Sequence, residues 1–140
     1  MKKLIALQGT ANRGKTSSIK IVYGLIKKQW PKAIIDELNV KSDIKVVMTI
    51  NGKKIGIESQ GDPGSRLPES LDYFVQIGCD VIICATRTRG ETVQAVKGLE
   101  DKYEICWLLQ KNCLKTNKQM LINKAMSERI VNELNKALLA

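Results

Sequence analysis

A chain of 140 residues with 44% hydrophobic and 26% charged side chains has the size of one ordinary globular domain, able to bury a core without disulfide or metal staples. Its 23 basic and 14 acidic side chains leave a formal charge of +9, which favours an anionic partner: a nucleotide, a nucleic acid or an acidic protein. The absence of histidine excludes a Ser-His or Cys-His catalytic pair, and the four cysteines form no C-x-x-C pair, so a structural zinc site is not expected.

The chain opens with Met1-Lys2-Lys3 and an apolar run, Leu4-Ile5-Ala6-Leu7, that stops at Gln8-Gly9. That run is too short for a secretory signal and reads as a first strand over residues 3–8, with a cytoplasmic location expected. No apolar run approaches membrane-spanning length, so no membrane partner is expected. Residues 15–29 carry Ile19, Val22 and Ile26, with Trp30 just beyond, near helical spacing before Pro31, and predict a helix. A short helical piece is expected around Ala33–Leu38.

Val46-Val47-Met48-Thr49-Ile50 and Ile55-Gly56-Ile57-Glu58 flank the turn dipeptide Asn51-Gly52 and predict a hairpin. A two-residue loop pairs Ile50 with Lys53, Met48 with Ile55 and Val46 with Ile57, which puts Val46, Met48, Ile50, Ile55 and Ile57 on one face. Gly61-Asp62-Pro63-Gly64 is a loop, followed by a helix over residues 66–77, a buried strand over 80–85 and a helix over 90–101. A strand over 104–109 and a long helix over 117–138 complete the pattern; in that helix Ile122, Met126, Ile130, Leu134 and Leu138 recur every four residues, a core stripe. With no repeat or linker, residues 1–140 read as a single domain. The expected fold is three-layer α/β/α with about five strands, mostly parallel, and one antiparallel edge strand from the hairpin.

The sharpest signal is Gly9-Thr10-Ala11-Asn12-Arg13-Gly14-Lys15-Thr16, which fits G-x-x-x-x-G-K-[ST] between a strand and a helix. Glycines at positions 9 and 14 let successive backbone N–H groups turn inward toward a phosphate, and the helix start adds its positive end. Lys15 is suited to the β- and γ-phosphate oxygens and the Thr16 hydroxyl to Mg²⁺, with Ser17 next to it at the helix start.

On these eight residues the chain resembles the P-loop NTPase superfamily, and the alternating strand–helix pattern extends the likeness along the chain. The hairpin is similar to that of small GTPase-like members, where it ends in D-x-x-G. Glu58-Ser59-Gln60-Gly61 stands at the matching place, with Glu for Asp. The resemblance implies that Glu58, or Asp62 nearby, serves the metal directly or through water, and that the Gly61 N–H meets the γ-phosphate. The guanine-reading N-K-x-D has no counterpart in Gln110-Lys111-Asn112-Cys113, so ATP is expected over GTP.

In open α/β sheets ligands gather beyond the carboxyl ends of the strands, where Thr86-Arg87-Thr88-Arg89-Gly90-Glu91-Thr92 follows a buried strand. Arg87 and Arg89 are candidates for contact with a transferring phosphate, and Arg66 is a third. The function expected is Mg²⁺-dependent nucleoside triphosphate binding with hydrolysis or phosphoryl transfer. Two alternatives stay open. One is a small-molecule or nucleotide kinase, with residues 87–92 as a short lid and Asp36 or Asp62 on an acceptor. The other is a non-catalytic, nucleotide-dependent module that binds an acidic or phosphate-bearing partner such as nucleic acid, although six aromatic residues form no spaced stacking platform.

Overall fold

In the computed structural model, which describes residues 2–10, 14–111 and 115–139, six strands join a single sheet in the order β2-β3-β4-β5-β1-β6. In chain order the elements are β1 (Lys2–Gln8), α1 (Gly14–Gln29), β2 (Ile34–Val40), β3 (Ile44–Ile50), β4 (Lys53–Glu58) and α2 (Leu67–Gln76). They continue as β5 (Val81–Thr86), α3 (Glu91–Lys97), β6 (Tyr103–Leu109) and α4 (Thr116–Leu139). Strands β4, β5, β1 and β6 are mutually parallel, and β3 runs against both of its neighbours near one edge. The protein is therefore a mixed α/β fold with a mostly parallel sheet and an antiparallel edge.

Burial follows the alternation of side chains along each strand. In β1, Ile5 and Leu7 join a core with α1 and α4, whereas Leu4 and Ala6 join a second core with α2 and α3. All six residues of β5 are buried, as befits a strand with neighbours on both sides and helices over both faces. Among the described residues no helix is long and apolar enough to cross a membrane.

The hairpin has the predicted register, Ile50 opposite Lys53 and Met48 opposite Ile55. Asn51 (φ 50°) and Gly52 (φ 82°) both occupy the left-handed region that a type I′ turn demands.

Two expectations are corrected. Residues 34–40 form a strand, not a helical piece, which raises the strand count to six. This segment is almost wholly exposed, so no buried stripe supports a helix, and the backbone of β3 gives Ile34 and Ile35 the extended pairing that β-branched residues favour. Helix α3 ends at Lys97 instead of near residue 101, with Gly98 at its C-cap. In α4 the predicted stripe packs on the core through Met126, Ile130, Leu134 and Leu138, and Asn123 and Ser127 are buried beside it in the first half of the helix. That half lies against the start of α1, where the Ser127 hydroxyl donates to the Ser18 carbonyl at 2.9 Å.

Candidate nucleotide site at the strand ends

The carboxyl ends of β1, β4, β5 and β6 form one rim of the sheet, and the start of β3 lies on the same rim because that strand runs the other way. Gly9 follows β1, its N–H donating to the Thr86 carbonyl at 3.1 Å, and α1 begins at Gly14. Residues Ala11, Asn12 and Arg13, expected in the phosphate cradle, lie outside the described residues. Thr10 and Ser17 are exposed at this rim, and Thr16 is half-buried.

Lys15 is buried, its Nζ donating to the Gly9 carbonyl at 2.8 Å and the Thr86 carbonyl at 2.7 Å. The ammonium is thus fastened across the ends of β1 and β5 with one of its three N–H donors unassigned. Burial lowers its pKa to about 8; Asp62 nearby opposes the shift and Arg87 adds to it.

A polar cluster packs behind Gly14. Gln110, buried after β6, accepts from the Ser18 hydroxyl at 3.1 Å and donates to Asn123 Oδ1 at 2.8 Å. Gln119 Nε2 donates to the same Asn123 oxygen at 2.8 Å. A Cβ at position 14 would sit 2.9 Å from both Gln110 Nε2 and Gln119 Nε2, so only glycine leaves this cluster undisturbed. The sequence singled out Gln110 as the start of a base-reading loop, but its side chain faces inward; Asn112 and Cys113 lie outside the described residues.

The two acidic candidates are each held by an arginine candidate. Glu58 is fully buried, with Oε1 accepting from Arg66 Nε at 2.7 Å and Ser70 Oγ at 2.6 Å. Its Oε2 accepts from Arg66 Nη2 at 3.1 Å and the Gln60 N–H at 3.0 Å. Four donors match the four lone-pair sites of a carboxylate. The Glu58 charge in turn raises the pKa of Arg66 through that hydrogen bond. Asp62 accepts from Arg87 Nε at 3.0 Å in an exposed pair. Arg89 is exposed in the connection between β5 and α3, and Gly61 packs so tightly on the Ala85 backbone that a Cβ there would collide with it. Asp36 is exposed on β2. Of residues 87–92, considered as a lid, 87–90 are the connection between β5 and α3 and Glu91 and Thr92 already belong to α3; the Arg87 N–H donates to the Thr92 hydroxyl at 2.9 Å.

A third acid was missed in the sequence. Asp43, just ahead of β3, accepts from the Thr16 hydroxyl at 3.2 Å and the Ser59 hydroxyl at 2.9 Å. Ser59 fixes this geometry: its N–H donates to the Ile44 carbonyl at 3.0 Å, and its hydroxyl accepts from the Ile44 N–H at 2.8 Å. The signal available in the sequence was the Lys41-Ser42-Asp43 turn between two β-rich stretches. Among the described residues no three acids or thiols group as a metal cage. The donor set instead suits an ion that takes one or two protein oxygens and completes its shell with phosphate and water, as Mg²⁺ does.

No protein-family model, curated protein or solved structure matches this chain.

Proposed function

We propose that this chain is a single P-loop nucleotide-binding domain of three-layer α/β/α architecture that binds a nucleoside triphosphate with Mg²⁺, ATP in preference to GTP, and cleaves or transfers its terminal phosphate. The observation that carries the reading is the joining of the G-x-x-x-x-G-K-[ST] motif to the strand–helix junction, with the Lys15 ammonium at the ends of β1 and β5. On this reading the third Lys15 N–H meets a phosphate oxygen, and the Thr16 hydroxyl holds the metal. Mg²⁺, when bound, neutralises phosphate charge as it develops on the terminal group. Among the described residues the Arg87 guanidinium uses only its Nε, on Asp62, so its terminal nitrogens are suited to phosphate, and exposed Arg89 lies two residues on.

Calorimetric titration with ATP and GTP in Mg²⁺, with phosphate release followed in parallel, tests the proposal. Micromolar-range ATP binding that vanishes in Lys15→Ala is the expected outcome. Equal affinity in the wild type and this variant removes the P-loop assignment, and phosphate release at the uncatalysed rate removes the catalytic part.

A further inference from the structure

We infer that Asp43, from the turn ahead of β3, is the acid that serves the divalent cation, in place of the acids at the end of the hairpin. The inference rests on the nucleotide reading above and names which carboxylate completes it. Three observations converge. Asp43 is the carboxylate hydrogen-bonded to Thr16, the hydroxyl of the G-x-x-x-x-G-K-[ST] motif. A hydroxyl that donates its proton to a carboxylate turns its lone pairs outward and gains electron density on oxygen, which improves it as a ligand for a hard cation. Glu58, by contrast, has all four lone-pair directions engaged by Arg66, Ser70 and the Gln60 N–H, and its charge is matched by Arg66. Asp62 is paired with Arg87 in the exposed loop.

The position of Asp43 is built, not incidental. The two hydrogen bonds between Ser59 and Ile44 join the start of β3 to the end of β4, and the Ser59 hydroxyl then donates to Asp43. Gln60 Nε2 approaches the other carboxylate oxygen at 3.5 Å. The carboxylate is thereby aimed at α1, next to the side chain that a metal would meet. Asp43 acts as a positioning residue through Thr16 and supplies the negative charge the cation requires.

The test separates metal-dependent from metal-independent nucleotide binding. A non-hydrolysable ATP analogue is titrated into the wild type, Asp43→Asn, Glu58→Gln and Asp62→Asn, once in EDTA and once in saturating Mg²⁺. The expected result is that Asp43→Asn keeps the affinity seen in EDTA and loses about tenfold or more of the gain that Mg²⁺ gives the wild type. Glu58→Gln and Asp62→Asn are expected to retain that gain. Retention of the full gain in Asp43→Asn, or its loss in Asp62→Asn, overturns the inference while leaving the nucleotide reading intact. No analogue binding by the wild type under either condition would overturn both.

A readout without substitution guards against a variant that does not fold. Fe²⁺ exchanged for Mg²⁺ in the analogue complex, with ascorbate and peroxide, cleaves backbone close to the ion. Cuts near residues 16 and 41–44 are expected. Cuts confined to residues 60–63 would sink the assignment of Asp43.

Discussion

Lys15 joins a buried ammonium to two backbone carbonyls, and its chemistry has a consequence in pH. Its pKa is lowered to about 8 by burial, whereas a bound phosphate favours the charged form. If the proposed site takes a nucleotide, its binding above pH 8 takes up a proton, and affinity is expected to fall by up to about tenfold per pH unit. Calorimetry in buffers of different ionisation enthalpy measures that uptake directly; a flat affinity between pH 7 and 9.5 would show that Lys15 is not at the phosphates. The same depression acts on folding with a definite sign. Between about 8 and the ordinary value of 10.5 the unfolded chain binds more protons, so this group makes the protein more stable as pH rises through that window and costs stability below it. Glu58 has the opposite character, a carboxylate whose role in the described structure is to hold Arg66 and Ser70. Glu58→Ala leaves Arg66 half-buried without its partner and is expected to cost roughly 2–3 kcal/mol, less than a fully buried pair. Urea unfolding checks this, and a loss under ~1 kcal/mol would mean that solvent readily replaces the pair.

Among the elements, β4 and α2 meet without a spacer. A Cβ on Gly56 would lie 2.6 Å from Phe74 Cγ, so the glycine lets the buried ring sit directly on the strand. Gly56→Ala should destabilise by about 1–3 kcal/mol through overpacking, and Phe74→Leu in the same chain should offset part of that loss. Additive effects in the double variant, measured by thermal or urea unfolding, would contradict this contact. At the far end of the hairpin the left-handed Gly52 (φ 82°) explains why Asn51-Gly52 was so legible: local turn chemistry and strand alternation dictate the same register. Strand β2 offered neither. Its Ile34, Ile35, Leu38 and Val40 are all exposed, so no buried stripe marks it, and its extended shape depends on the backbone of β3. Without two strands around residues 41–43, nothing in the sequence placed Asp43 on the rim with Thr16.

For the molecule as a whole, a ligand that binds only the folded state stabilises it by mass action, about 2.7 kcal/mol at a hundredfold excess over the dissociation constant. Mg²⁺ with ATP should therefore raise the thermal midpoint of the wild type and leave Lys15→Ala unmoved. GTP should give no greater a rise, since the Gln110 side chain is turned inward onto Ser18 and Asn123 and is not placed to read a base. A GTP preference of a hundredfold or more would contradict this. The sequence by itself determined the alternation of most strands and helices, the hairpin register and the presence of a G-x-x-x-x-G-K-[ST] segment at a strand–helix junction, because each is written in neighbouring residues whose spacing and turn chemistry act locally. Only the tertiary structure decided the sixth strand, the polar face of α4 against α1, the pairing of Glu58 with Arg66 and of Asp62 with Arg87, and the approach of Asp43 to Thr16. These contacts join residues far apart in the chain, and charge pairing is settled by which side chains the folded sheet brings within hydrogen-bonding reach.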